Sequence, residues 1–108
     1  MNNPIIIAVD AMGGDDSPKK VVEGISIHSK ISNEVKYKIF GKKELIIPFI
    51  KKYNIPDNRC ELIHTENFVS GEDTALSAAK KGKDTSLWLS VESVKNNQAH
   101  AIISAGNT

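Results

Sequence analysis

Two short stretches hold the residues best suited to chemistry on an anion, and they lie near opposite ends of the 108-residue chain. The first is Gly13-Gly14-Asp15, just after Asp10. Glycines offer bare backbone N–H groups and permit turns that a Cβ resists. The second is Ser104-Ala105-Gly106-Asn107-Thr108, with two hydroxyls, a side-chain amide and a glycine backbone. Its neutral donors need no deprotonation to work. Donors of this kind suit a phosphate or a developing oxyanion. Asp15 and Asp16 repel phosphate and so count against a simple cradle. They fit a helix cap, a held turn or a cationic neighbour instead. Each stretch also has a purely structural reading: a tight turn for the first, a strand-to-helix cap for the second.

The elements around these stretches must bring them together. Residues 5–9, Ile-Ile-Ile-Ala-Val, form a β-branched apolar run and predict a strand buried on both faces. Ser17 and Pro18 read as an N-cap and a first-turn proline. Strand, glycine turn and helix make a βα unit whose loop lies at the carboxyl edge of the sheet, where such sheets bind ligands. The helix is expected over 18–30, with Val21, Val22, Ile25 and Ser29 inward. Residues 35–40 alternate apolar and basic, which predicts a second strand lying at a sheet edge. A helix over 43–53 should bury Leu45, Ile46, Phe49 and Ile50, with Pro48 kinking it or marking a late start. A turn at 55–58 leads to a third strand over 60–65 and a loop around Gly71. A short helix of small residues, Ala75, Ser77, Ala78 and Ala79, is expected over 74–81. Thr85 can cap a last helix running to Asn96, lined on one side by Leu87, Val91 and Val94. Residues 99–104 are the fourth strand. The first and fourth strands are expected at the sheet centre with their carboxyl ends adjacent. The whole reads as one α/β unit with a mostly parallel sheet.

Lys and Arg number 14 against 13 Asp and Glu, and this near balance argues against a nucleic-acid partner. No apolar stretch approaches the roughly 20 residues of a membrane span, and the first residues lack the features of a secretory signal. The single Cys60 excludes an internal disulfide and fits a reducing, cytoplasmic setting. It reads as a core residue. His28, His64 and His100 have no partners at metal-ligand spacing and read as structural, so no metal site is expected. The lysines at 36, 38, 42, 43, 51 and 52 read as a solvated face, or as a docking surface for an acidic protein.

Asp10-Ala11-Met12-Gly13-Gly14-Asp15, with Ser17-Pro18 following, and Ser104-Ala105-Gly106-Asn107-Thr108 resemble two motifs of the phosphate acyltransferase (PlsX) family. They occur in the family's order and at about its spacing. The resemblance implies an enzyme that makes acyl-phosphate from an acyl carrier protein thioester and inorganic phosphate, for bacterial phospholipid synthesis, without a cofactor. It implies a Rossmann-like three-layer αβα fold, similar to isocitrate and isopropylmalate dehydrogenases, of which this chain would be the N-terminal third. It also implies a homodimer, cytoplasmic and peripheral to the inner face of the cell membrane, feeding a glycerol-3-phosphate acyltransferase.

By the same resemblance, Lys83, Thr85 and Ser86 match a basic-residue, spacer, Ser-Ser stretch, although they also read as an exposed basic loop and an N-cap. The substrate and phosphate site would then comprise Gly13, Gly14, Asp15, Lys83, Thr85, Ser86, Ser104, Gly106, Asn107 and Thr108, with Asn107 and Lys83 as catalytic candidates. Leu87-Trp88 departs from the family's Met-Arg, Ala75 from a common proline, and Lys80 from an arginine whose fork it lacks.

Two other readings compete. A phosphotransacetylase-like enzyme would use coenzyme A as the acyl carrier. A non-catalytic α/β signalling or binding module, such as a receiver domain, would need an Asp at the end of the third strand, where Ile63-His64-Thr65-Glu66 stands. A nicotinamide dehydrogenase is disfavoured because no G-x-G-x-x-G follows the first strand.

Overall fold

Four short strands rich in apolar residues set the frame, and helices cover both of its faces. The computed structural model describes residues 3–68 and 82–105. Within them lie β1 (Ile5–Asp10), α1 (Lys19–Ile31), β2 (Val35–Gly41), α2 (Lys43–Lys52), β3 (Cys60–His64), α3 (Ser86–Lys95) and β4 (Ala101–Ser104). Short 3-10 turns occupy Asp57–Arg59 and Gly82–Asp84. The strands form one sheet in the order β3-β2-β1-β4, and every pairing is parallel. The expected helix over 74–81, with Ala75 and Lys80, lies outside the described residues, as do Gly106, Asn107 and Thr108.

Successive strand residues point to opposite faces, and the two cores follow that rule. Val9, Tyr37 and Ile39 pack with Val22 and Ile25 of α1 and Ile46 of α2. Ala8 and Phe40 pack on the other face with Ala99, Leu89 and Val94. This is a three-layer α/β arrangement. Arg59 ties the first layer to the sheet: its guanidinium donates to the carbonyls of Ser29, Ser32 and Val35.

Several sequence expectations need correction. β2 is an inner strand, between β3 and β1, rather than an edge. Its alternating pattern arises because Lys36 and Lys38 sit on the face that α3 covers only in part; Lys38 Nζ meets Glu61 of β3 at 3.8 Å. β1 is central as expected, but β4 is the terminal strand among the described residues. Leu45 is 44 % exposed and Ile46 alone is fully buried in α2, which runs on through Pro48.

Ser17 does not cap α1. Pro18 holds the N-cap position after a cis Ser17–Pro18 bond, and the Ser17 hydroxyl turns back to donate to the Gly13 carbonyl.

α3 is the largest departure. Val91 is 49 % exposed, and the residues α3 buries are Ser86, Ser90 and Ser93. Small hydroxyl side chains let the helix sit close to β1 and β2. Their O–H groups are satisfied within the protein: Ser90 Oγ donates to the Ser86 carbonyl at 2.6 Å and Ser93 Oγ to that of Ser90 at 2.7 Å.

Candidate functional site

The apolar residues of β1 and β4 place two chain ends side by side at the carboxyl edge. Asp10 is the register partner of Ser104. Asp10 is 1 % exposed, and its carboxyl group collects three donors. Oδ1 accepts from Ser86 Oγ at 2.6 Å and from the Met12 N–H at 3.1 Å. Oδ2 accepts from Ser104 Oγ at 2.9 Å. One buried carboxyl group thus joins the end of β1, the first turn of α3 and the end of β4. A buried carboxylate needs such donors, because an unpartnered one costs several kcal/mol.

The glycine turn closes over the same junction. Gly14 has φ +89°, and a Cβ placed there would lie 2.6 Å from the Ala105 carbonyl oxygen. The backbone after β1 therefore touches the backbone after β4, an approach open only to glycine. Gly13 is buried, Gly14 half-buried and Asp15 exposed. Beside this junction, between α1 and the β1–β4 pair, is a mostly apolar cavity of about 460 Å³. Ile7, Val9, Val21, Gly24 and Ile103 line it, with Asp15, Ser17, Lys20 and Ala105.

Of the expected site residues, Ser86 and Ser104 meet at Asp10, Gly14 lies against Ala105 just beyond Ser104, and Asp15 lines the neighbouring cavity. Thr85 is 2 % exposed and acts as the N-cap of α3, accepting from the Trp88 N–H at 3.1 Å. Ser86 is fully buried with its hydroxyl given to Asp10. Thr85 and Ser86 therefore hold the helix at the junction from within. Lys83 lies in the turn that leads into them. Gly106, Asn107 and Thr108 follow Ala105 outside the described residues.

Two features escaped the sequence reading. One is Asp10 itself, which opens the first motif but is not among the expected site residues. The other is the pair His64 and Glu66 at the end of β3. His64 Nδ1 accepts from the Lys43 N–H at the start of α2 at 3.2 Å. The ring proton therefore sits on Nε2, which donates to Glu66 Oε1. That hydrogen bond first, then the electrostatic attraction of His64 and of Lys42, lower the Glu66 pKa below its ordinary value. The spacing His64-Thr65-Glu66 at a strand end was the available signal.

His28 and His100 serve structure. His28 Nδ1 meets the Tyr37 hydroxyl, and His100 Nδ1 accepts from the Ile6 N–H at 2.9 Å. Cys60 is half-buried, and burial followed by the nearby Asp57 pushes its thiol pKa up, away from nucleophilic use. Among the described residues, no helix is long and apolar enough to cross a membrane.

The profile of the fatty acid synthesis protein family matches residues 5–108. A phosphate acyltransferase of Pelagibacter ubique is 49 % identical over 108 residues, covering 100 % of this chain and 32 % of its own length. One of Rhodospirillum rubrum is 40 % identical over 108 residues, covering 100 % and 31 %. One of Enterococcus faecalis is 37 % identical over 102 residues, covering 94 % and 29 %. The chain spans about a third of the length of these curated relatives.

Proposed function

The chain belongs to the fatty acid synthesis protein family, and from that premise we propose that it is the N-terminal part of a phosphate acyltransferase. The reaction is attack of inorganic phosphate on the carbonyl carbon of an acyl carrier protein thioester. A C–O bond forms, the C–S bond breaks, and the carrier leaves as a thiolate that takes up a proton. The products are acyl-phosphate and free carrier, for use in fatty acid and phospholipid synthesis. No protein nucleophile is needed, so positioning and electrostatic stabilisation can carry the catalysis.

The observation that carries this reading is the whole-chain similarity to proteins named phosphate acyltransferase, with the two motif loops in contact at Gly14 and Ala105. In this reading phosphate binds at the carboxyl edge of β1 and β4. Gly106, Asn107 and Thr108, beside Ser104, present it with donors, Gly13, Gly14 and Asp15 form the facing wall, and Lys83 adds positive charge. Thr85 and Ser86 hold α3 behind them. The complete enzyme is a homodimer at the inner face of the membrane and passes its product to a glycerol-3-phosphate acyltransferase, as the sequence resemblance implies.

The test is an assay of a full-length member carrying this sequence, with hydroxylamine trapping of the product. Carrier-protein thioester plus inorganic phosphate should yield acyl-phosphate. Product from coenzyme A thioesters alone would reassign the carrier, and none from either would overturn the reading. The 108-residue chain by itself should be inactive, because part of a cleft supplies neither full phosphate neutralisation nor an oxyanion hole. Robust turnover by it would contradict the assignment as a portion of the site.

A further inference from the structure

We propose that the apolar cavity beside α1 holds the acyl chain of the substrate, with the reacting carbonyl at its mouth. The inference rests on the functional reading above and assigns the chain its place. The cavity, about 460 Å³, lies within the roughly 300–1,000 Å³ usual for ligand pockets. Its floor is the α1-facing side of the β1–β4 pair, made by Ile7, Val9 and Ile103. Val9 and Ile103 are register partners there. Its wall is α1, through Val21, Gly24 and Ile25. The helix residues that line it run from Lys20 to His28. At the helical rise of roughly 1.5 Å per residue, that is a trough about 12 Å long.

Three observations favour an acyl chain. The first is where the cavity opens. Asp15 and Ala105 line its end at the carboxyl edge, and Ala105 is the residue that Gly14 touches. Phosphate held at that junction meets a carbonyl at the mouth, with the chain directed inward. The second is the order of the lining. The charged side chains of Asp15 and Lys20 stand at the mouth, and the trough from there to His28 is mostly apolar. The third is Gly24. It lies inside α1, where glycine weakens a helix relative to alanine, and a Cβ there would meet nothing within 4 Å. What this glycine supplies is width. Ile103, 55 % exposed, faces the same space. Each methylene buried there gains about fourfold in affinity, so a long chain lying along the trough binds far better than a short one.

The experiment follows acyl-phosphate formation from butanoyl and palmitoyl carrier-protein thioesters in a full-length member carrying this sequence. The readout is the ratio of kcat/KM for the palmitoyl thioester to that for the butanoyl one. Gly24→Leu puts a helix-favouring side chain into the trough. It should lower that ratio about tenfold or more, because displacing two methylenes at about fourfold each already exceeds that figure. Should Gly24→Leu fail to fold, Gly24→Ala adds a single methyl group and should lower the ratio about fourfold.

Palmitate alone should raise the melting temperature of the parent protein, and raise that of Gly24→Leu less. This readout needs no acyl transfer. Palmitate stabilisation that Gly24→Leu removes, in a parent that forms no acyl-phosphate, would sink the functional reading and leave the cavity's ligand standing. Turnover in the parent with an unchanged palmitoyl-to-butanoyl ratio in the variants would overturn the proposal and leave the functional reading intact. A lower melting temperature in Gly24→Leu, with both thioesters slowed alike, would put polypeptide in the cavity and overturn the proposal as well.

Discussion

Ser104 and Asp10 are register partners across the β1–β4 pair, and the Ser104 hydroxyl donates to Asp10 Oδ2 at 2.9 Å. They are 94 positions apart in sequence. Their contact is what turns two distant motifs into one edge of the sheet, and the predictions below probe its surroundings.

Gly14 should accept no side chain. Its φ of +89° is unfavourable for residues with a Cβ, and that Cβ would meet the Ala105 carbonyl oxygen at 2.6 Å. Gly14→Ala should destabilise by about 2 kcal/mol or more, and should abolish phosphate-dependent thermal stabilisation. Denaturant unfolding gives the first number. A variant as stable as its parent would mean that the two loops do not press together.

Gly24 is the opposite case. It lies inside α1, and a Cβ there would meet nothing within 4 Å. Gly24→Ala should stabilise the 108-residue chain by about 0.5–1 kcal/mol, the usual helix-interior difference. Loss of stability in that chain would show that the space beside α1 is filled. The same substitution in a full-length member reports whether another segment packs into the cavity, since contact there removes the gain.

Glu66 should titrate below the ordinary glutamate range, because His64 donates to it and Lys42 lies near. A depressed folded-state pKa stabilises the fold at pH above the unfolded value. That contribution fades as pH falls through the folded value. Glu66 is exposed, so the effect on stability is small. NMR titration of its side-chain carboxyl carbon should show the low value in the parent and a return toward the ordinary one in His64→Ala. An unchanged value in that variant would remove the hydrogen bond as the cause.

The strands were legible because their residue types leave little choice. The β-branched run of β1 reads as a strand, although only its second half, Ala8–Asp10, is buried and Ile5 is 46 % exposed, and glycines after Asp10 read as a turn at the carboxyl edge. The convergence on Asp10 was not legible, since Ser86 and Ser104 lie 76 and 94 positions away. No local pattern carries that information. α3 misled for a different reason. Hydrophobic spacing favoured Val91 as a core residue, whereas the helix buries Ser86, Ser90 and Ser93. Their spacing is helical, but serine is ordinarily read as solvent-facing. The hydroxyls become core-compatible only by returning to helix carbonyls and, for Ser86, to Asp10. β2 was misplaced at an edge because lysines on an incompletely covered face imitate the pattern of an edge strand.

The measurement that tests the phosphate site most directly is turnover and melting temperature of Asn107→Ala in a full-length member carrying this sequence. If Asn107 gives a donor to phosphate or to the developing charge, turnover should fall about 10²–10³-fold while the melting temperature stays nearly constant. A variant weakened by about 1 kcal/mol, as for a lost helix cap, yet turning over normally, would contradict the account.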